Sequence, residues 1–455
     1  MLKIIIPVII ICFILVFAFV LYTYWYLFPT SFVDIVRDIR DSVQGVTKST
    51  EQSLGIPPKY IINDNDFIVE EYVTDLHQPT TMAFLDDDII ILEKNTGKVL
   101  LIQDGKNNNQ YLLDFNVNSY WESGLLGVAV NDKDVYFYLT ETEEEDGGEK
   151  IGNNIYRFHW DGKELINKKL INSLGSKAPA HNGGVMAVGL DGQVYAVIGD
   201  QGGGLVGGDG LKDSHALTQN RNQGEFDDSG VIIRVGLDEE IIKPKDSQDP
   251  LEHYYAIGIR NSFGLAIDPI TGKLWDTENG RDNFDEVNLV SENFNSGWAV
   301  TMGPNFKTNG ADEKLSPELA ALNGQIEDLL NFDRYTYAEP KFSWEKTVTP
   351  TGLAFPNSES SAKYGNELFV ATCIGEIYKF KLNDERTDFI FDSIHLQDLA
   401  ANIVTNESGE NIVEPLDEIE FGSGFGCITD IQFGPDGNLY IVSLSDGIIY
   451  RIIPK

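Results

Sequence analysis

Basic residues are scarce in this sequence. Its 455 residues include 34 Lys and Arg against 71 Asp and Glu, a formal net charge of −37. So acidic a surface repels phosphates and anionic headgroups, which excludes nucleic acid as a partner and polybasic attachment to a membrane. Cysteine is scarcer still. Of three in all, Cys12 falls in an N-terminal apolar run, and only Cys373 and Cys427 lie beyond it. That excludes a disulfide framework and a Cys-rich zinc site, and leaves room for one bridge. No Cys-x-x-Cys-His occurs, so no haem is attached through that motif. Helical periodicity is nearly missing as well. The one good candidate is the stretch from Ser316 to Asn331, with a serine placed as N-cap. What is present is ample core material: 42% hydrophobic and 11% aromatic residues, with an ordinary 23% charged, so the acidity does not come from disorder.

The apolar run from Ile4 to Phe28 is longer than the ~20 residues needed to cross a bilayer. Lys3 precedes it, while Tyr22, Tyr24, Trp25 and Tyr26 gather at its far end, a pattern that keeps the amino terminus inside and sends the rest outside. A cleaved signal peptide is the alternative, but it calls for a shorter run and a small-residue cleavage site. The expected organisation is a transmembrane anchor over 1–28, a stalk over 29–59 with its Pro57-Pro58 pair, and a folded domain over 60–455. The chain then crosses a cell membrane once and holds its C-terminal domain outside.

Within that domain one pattern recurs: a turn residue, a short apolar strand, an Asp, Asn or Gly turn, then a strand rich in Tyr, Val and Ile. Copies begin at Pro79 (PTTMAFLDDDIIILEKNTGKVLLI), Ser123 (SGLLGVAVNDKDVYFYLT), Asn182 (NGGVMAVGLDGQVYAVIGD), Asn261 (NSFGLAIDPITGKLWDTENG), Thr351 (TGLAFPNSESSAKYGNELFVATCIGEIYKFKL) and Thr429 (TDIQFGPDGNLYIVSLSDGIIYRI). Six strand-rich units predict an all-β, six-bladed β-propeller. Two β-sandwiches are the alternative, although they do not require the same hairpin in every unit.

In a propeller the ends of the inner strands surround a central channel, so polar residues opening each repeat are the candidates for chemistry. His181 opens the third repeat as His181-Asn182-Gly183-Gly184, and the hairpin that follows ends at Gly199-Asp200. Antiparallel pairing of its strands returns Asp200 beside His181, the arrangement of a general base and its orienting carboxylate, or of a structural His held at a turn. A second cluster joins Gly258-Ile259-Arg260-Asn261 to the polar segment Glu278-Asn279-Gly280-Arg281-Asp282-Asn283-Phe284-Asp285-Glu286, read as a loop. Its oxygens suit a hard cation such as Ca²⁺ or, equally, a solvated acidic turn. The glycine-rich run Gly202 to Gly207 opens no amphipathic helix and reads as a loop, not a dinucleotide site. Glu141 to Glu149 reads as a solvated insertion, and Asn406-Glu407-Ser408 is a sequon open to glycosylation outside the cell.

Taken together, ESGLLGVAV from Glu122, HNGGVMAVGLDGQVYAVIGD from His181, GIRNSFGLAIDPITGKLWDTENGRDNFDEVNLV from Gly258 with the later NSGWAV, and TDIQFGPDGNLYIVSL near the end carry a resemblance. Over residues 60–455 the chain resembles the glucose/sorbosone dehydrogenase family, soluble-type sugar dehydrogenases that use pyrroloquinoline quinone (PQQ) and calcium on a six-bladed propeller. The resemblance implies an oxidoreductase that oxidises an aldose or related alcohol by hydride transfer. His181 is then the base, Asp200 its orienting partner, and Arg260 the group that polarises the quinone carbonyl. Glu122, Asn261 and Asn279 line the cofactor pocket. The backbone carbonyls of Gly280 and Arg281 hold the calcium, with Asp285 nearby. The expected partners are a small sugar substrate, an external electron acceptor, and a membrane met through the N-terminal helix.

The departures from the family pattern fall in the last two repeats. A basic residue is common where this chain has Ala371-Thr372-Cys373-Ile374-Gly375, and an arginine-rich pair where it has Gly426-Cys427-Ile428-Thr429-Asp430. The quinone's carboxylates lose those partners, and burying unpaired carboxylates is costly. Val185 replaces an arginine after the glycines, and Arg281 a proline, which restores one charge. The two cysteines thus stand where the resemblance places cofactor-binding cations, on adjacent blades, either as a disulfide across the pocket floor or as two small buried side chains. Two other readings remain open at this stage: a non-catalytic propeller that binds carbohydrate or calcium, and a hydrolase or lactonase using Glu122, Asp200 or Asp285 around Ca²⁺.

Overall fold

The computed structural model describes residues 60–108, 111–176, 178–201, 226–281, 283–304, 329–406 and 409–455. These belong to one compact unit, Tyr60–Lys455. The expected anchor over 1–28, the stalk, the Gly202 to Gly207 run, residues 407–408 of the sequon and all but the end of the helix from Ser316 lie outside the described residues. Among the described residues no helix is long and apolar enough to cross a membrane.

The fold is an all-β propeller. Its described strands form six sheets of four to six strands and one two-stranded hairpin, Ile403–Thr405 with Asn411–Val413. We number the large sheets I to VI by their first strands: Pro79–Leu85, Leu125–Asn131, Met186–Val188, Ser262–Ile267, Pro350–Ala354 and Ile428–Phe433. Every repeat read from the sequence opens one of them. Each first strand pairs antiparallel with the strand after it, as Met186↔Ala196 in sheet III and Leu265↔Asp276 in sheet IV show.

Several second strands read as nearly unbroken apolar runs because both of their faces are covered. Asp88–Glu93 (DIIILE) and Leu439–Ser443 (LYIVS) are buried almost throughout. A hydrophobic cluster fills each gap between neighbouring sheets. Ile90 and Val128 meet between I and II, Tyr138 and Ile233 between II and III, and Ile232 and Leu265 between III and IV. Trp275 and Val370 meet between IV and V, Phe369 and Ile441 between V and VI, and Ile91 and Val442 between VI and I. That cyclic order excludes the sandwich alternative, in which two faces share one core. The ring closes through hydrogen bonds: strand Phe67–Val73 from the start of the domain pairs antiparallel with Ile448–Pro454 at its end, within sheet VI. Across the same seam Asp430 accepts hydrogen bonds from Thr81 Oγ1 and the Met82 amide, both at 2.9 Å.

Near the start of the first strand the pairing slips by a residue in sheets I, II, IV, V and VI. Such bulges re-aim side chains at a rim. Glycine permits the tight approach of one first strand to the next: a Cβ on Gly264 would lie 2.1 Å from the Thr351 carbonyl oxygen, and one on Gly127 would lie 1.8 Å from that of Gly184. The residues that precede the first strands and those that follow the second strands therefore converge on one end of the ring.

Candidate active site

At that end the hairpin of sheet III does what antiparallel pairing demands. His181 precedes its first strand, Asp200 follows its second, and His181 Nδ1 meets Asp200 Oδ1 at 2.5 Å. A carboxylate only accepts, so Nδ1 carries the proton and Nε2 is the ring nitrogen left for a substrate. Both side chains are buried, His181 at 9% exposure and Asp200 at 4%. The backbone of His181 is left-handed, φ 57°. Its N–H donates to Glu122 Oε2 at 2.6 Å, which fixes the loop before sheet III to the loop before sheet II. Gly199 has no room for a side chain, since a Cβ would stand 2.7 Å from both the His181 and Arg260 carbonyl oxygens.

Arg260, from the loop before sheet IV, is buried as well. Its backbone carbonyl accepts from the Asp200 amide at 2.8 Å, and its Nη1 donates to the Asn279 carbonyl. Its Nε and the Oδ1 of Asn261 are buried with no hydrogen-bond partner among the described residues. Burial lowers the Arg260 pKa, opposed by the charges of Asp200, Glu278, Glu122 and Asp285. The guanidinium lies 5.3 Å from the centre of the Trp298 ring, and the Trp298 indole N–H donates to Asp200 Oδ2 at 2.7 Å. His181, Asp200, Trp298 and Arg260 thus form one connected, water-shielded group.

One expectation needs correction, and two of the expected site residues have structural partners. The segment from Glu278 to Glu286 is mostly strand, not loop: Glu278 ends Leu274–Glu278, and Asn283–Val290 pairs back on it with Glu278 opposite Glu286. Asn279 is a brace between sheets IV and V, because its amide nitrogen donates to the carbonyls of Asn261 at 3.2 Å and Pro350 at 3.0 Å. Asp285 is a backbone clamp. Its Oδ1 accepts from the Gly280 amide at 2.8 Å, and its Oδ2 from those of Val348 and Thr349 at 2.6 and 2.7 Å. A carboxylate so engaged has little left for a metal. Among the described residues no three His, Cys, Asp or Glu side chains form a group able to hold a metal ion. The donors expected for Ca²⁺, the backbone carbonyls of Gly280 and Arg281, lie outside any such side-chain group.

Cys373 and Cys427 are joined in a disulfide, with Cα atoms 3.9 Å apart. Cys373 follows the second strand of sheet V and Cys427 precedes the first strand of sheet VI, so the bridge ties two neighbouring sheets at the site end. Thr429 is turned to the ring seam, where its hydroxyl meets the Pro79 carbonyl at 3.3 Å. No charge is offered by these three positions.

Several residues were assigned no individual role from the sequence. Glu278 is fully buried, accepts from the Arg260 amide at 2.8 Å and from Ser296 Oγ at 2.8 Å, and is pushed up to about 7 chiefly by burial. Asp276 and Glu286, buried beside it, are raised too, again by burial first. Period-two spacing of Asp276 and Glu278 was the available signal, since it puts both on one strand face. Trp298 sits in the quoted NSGWAV, and Lys94, half-buried with its amine lowered to about 8 by burial, interacts with Glu122. An open groove of about 1010 Å³ between Arg234, Glu252, His253 and Arg334, at the outer part of sheet III, includes none of the site residues. The connected buried network, not that open groove, is where chemistry is supported.

An all-β propeller whose strand ends converge on a buried His, carboxylate and Arg defines a class of channel-sited proteins. Within it, the sequence model of the Glucose / Sorbosone dehydrogenase family matches residues 76–451, and the chain belongs to that family. It is similar to quinoprotein glucose dehydrogenase B of Acinetobacter calcoaceticus, 27% identical over 310 residues, which cover 63% of this chain and 64% of that one. It is also similar to aldose sugar dehydrogenase YliI of Escherichia coli K12, 25% identical over 242 residues, 52% of this chain and 51% of that one. Both matches span less than two thirds of the relative. Among solved structures, the PQQ-bound form of an aldose sugar dehydrogenase from Streptomyces coelicolor shares the fold, with TM-score 0.53 at 19% identity over 85% of this chain and 98% of that one.

Proposed function

We propose that this chain is a PQQ-dependent aldose dehydrogenase on a six-bladed propeller, each large sheet counted as a blade, held outside a cell membrane by an anchor over residues 1–28. The observation that carries the reading is the buried network in which Asp200 holds Nδ1 of His181 while Arg260 lies on the ring of the tryptophan that bonds the same carboxylate. The quinone fits at its reactive end: Arg260 Nε and Asn261 Oδ1 are a donor and an acceptor, buried and without a partner among the described residues. The Cys373–Cys427 bridge between sheets V and VI adds no cation, so the fit rests on the His181 end.

When bound, the quinone supplies a two-electron acceptor for the hydride of the sugar's anomeric C–H. His181 Nε2 takes the proton of the hydroxyl on the same carbon, and the product is the lactone. Asp200 stabilises the imidazolium that forms and keeps the ring in the tautomer with Nε2 unprotonated. Arg260 presents positive charge at the site, worth more there because water is excluded. Glu122 fixes the His181 backbone and so the height of the ring. With no haem motif in the chain, the electrons pass to a separate acceptor.

His181→Gln, assayed with PQQ and a panel of aldoses against an artificial electron acceptor, is expected to lower kcat by about 10²- to 10⁴-fold with the quinone affinity kept. Unchanged turnover in that variant, or turnover without quinone, overturns the reading.

A further inference from the structure

We infer that Trp298 is a positioning residue for the base: its indole N–H holds one oxygen of Asp200 so that the carboxylate presents the other to His181, and its ring seats Arg260. The inference rests on the functional reading above. Trp298 lies between the two halves of the site. Its backbone N–H donates to the Gly258 carbonyl at 3.1 Å, two residues before Arg260, and its ring is 3% exposed in a small cluster with Phe284, Ala299 and Met302. From there it reaches both functional side chains. The indole N–H meets Asp200 Oδ2 at 2.7 Å, while Asp200 Oδ1 is at 2.5 Å from His181 Nδ1. Its π face lies beneath the guanidinium of Arg260 at 5.3 Å, a cation–π contact shielded from water.

The chemical consequence follows from charge. A carboxylate that already accepts an indole N–H is a weaker acceptor toward its second partner, because the same negative charge is shared by two donors. Removing the indole N–H concentrates that charge on His181, so the imidazolium is held more firmly and the free base appears at higher pH. Among the described residues the charged groups facing the pair are Glu122 before sheet II, Arg260 before sheet IV and Glu278 at the end of that sheet's second strand. None of them changes in a Trp298 variant, so the direction belongs to the lost bond.

Trp298→Phe keeps a π face for Arg260 and removes only the donor. Followed by NMR in the full chain without cofactor, the His181 ring resonances are expected to titrate about one pH unit higher in the variant than in the parent, the size of one charge-assisted hydrogen bond. With quinone and aldose, the acid limb of kcat/KM moves up by the same amount. Should Trp298→Phe fail to fold, Asp200→Asn gives a second measurement. The indole ¹H–¹⁵N resonance of Trp298 is expected to move upfield when its charged acceptor is lost. Ring resonances that titrate identically in the parent and Trp298→Phe, or an indole resonance that ignores Asp200→Asn, overturn the inference. Both readouts are taken on the unloaded chain, so an inactive parent that still shows the shift refutes the dehydrogenase reading and not the positioning role.

Discussion

Asp285 shows how a residue's chemistry is decided by what its oxygens touch. Three backbone amides converge on it, from the turn at Gly280 and from Val348 and Thr349 in the approach to sheet V. Burial raises its pKa, and those same three bonds oppose the rise. Asp285→Asn keeps the shape and leaves one acceptor oxygen where there were two, so at least one buried amide loses its partner. We expect a loss of about 1–3 kcal/mol, read as a lower midpoint in chemical denaturation. A variant as stable as the parent would show that the clamp contributes nothing. The pairing of His181 with Asp200 was legible in the sequence because it needs only hairpin register. The clamp on Asp285, the brace of Asn279 and the tryptophan bond of Asp200 were not, since each depends on a bond between residues 63 to 98 positions apart.

Elements were the most legible scale. Apolar runs broken by turns rich in Asp, Asn or Gly, Asp191-Gly192 and Asp436-Gly437 among them, marked the first two strands of the large sheets, because a hairpin is a local structure with a local signal. The strand pair from Glu278 to Glu286 escaped because its buried carboxylates look like loop residues until their alternation is noticed. The Cys373–Cys427 bridge is an element-scale feature too. It closes a separation of 54 residues between sheets V and VI. On chain-entropy grounds it stabilises by about 4 kcal/mol. Cys373→Ser should lower the calorimetric melting temperature by about 5 °C for a domain of this size, and the parent with excess reductant should follow it. Equal melting temperatures in all three samples would mean that the bridge does not constrain the unfolded chain.

At the scale of the whole molecule, acidity dominates. The chain carries −37 and buries carboxyl groups that ionise reluctantly. Asp228 is pushed up to about 6 and Glu278 to about 7, both first by burial, with Asp276 and Glu286 raised in the same way. In the unfolded chain these groups lose their protons near the ordinary carboxylate range of about 4. Between that range and about 7 the folded state therefore binds more protons, and stability falls as pH rises through the window. His253 opposes the trend, since burial lowers its pKa and the folded state then binds fewer protons below its ordinary range. Several buried carboxyls and the relief of self-repulsion outweigh one imidazole. Melting should therefore occur several degrees higher at pH 5.5 than at pH 8 in the same salt, and a flat or inverted profile would contradict this.

The propeller class was legible from the repeats and the family from a resemblance of the quoted segments, whereas the uncharged pair Cys373 and Cys427 left the cofactor as the point on which the account turns. The most direct measurement is calorimetric titration of the 455-residue chain with PQQ, paired with Arg260→Ala. The account predicts saturable, one-to-one binding that the variant weakens at least tenfold while its circular dichroism spectrum stays that of the parent. No heat of binding into the high-micromolar range, or equal binding by Arg260→Ala, would contradict it.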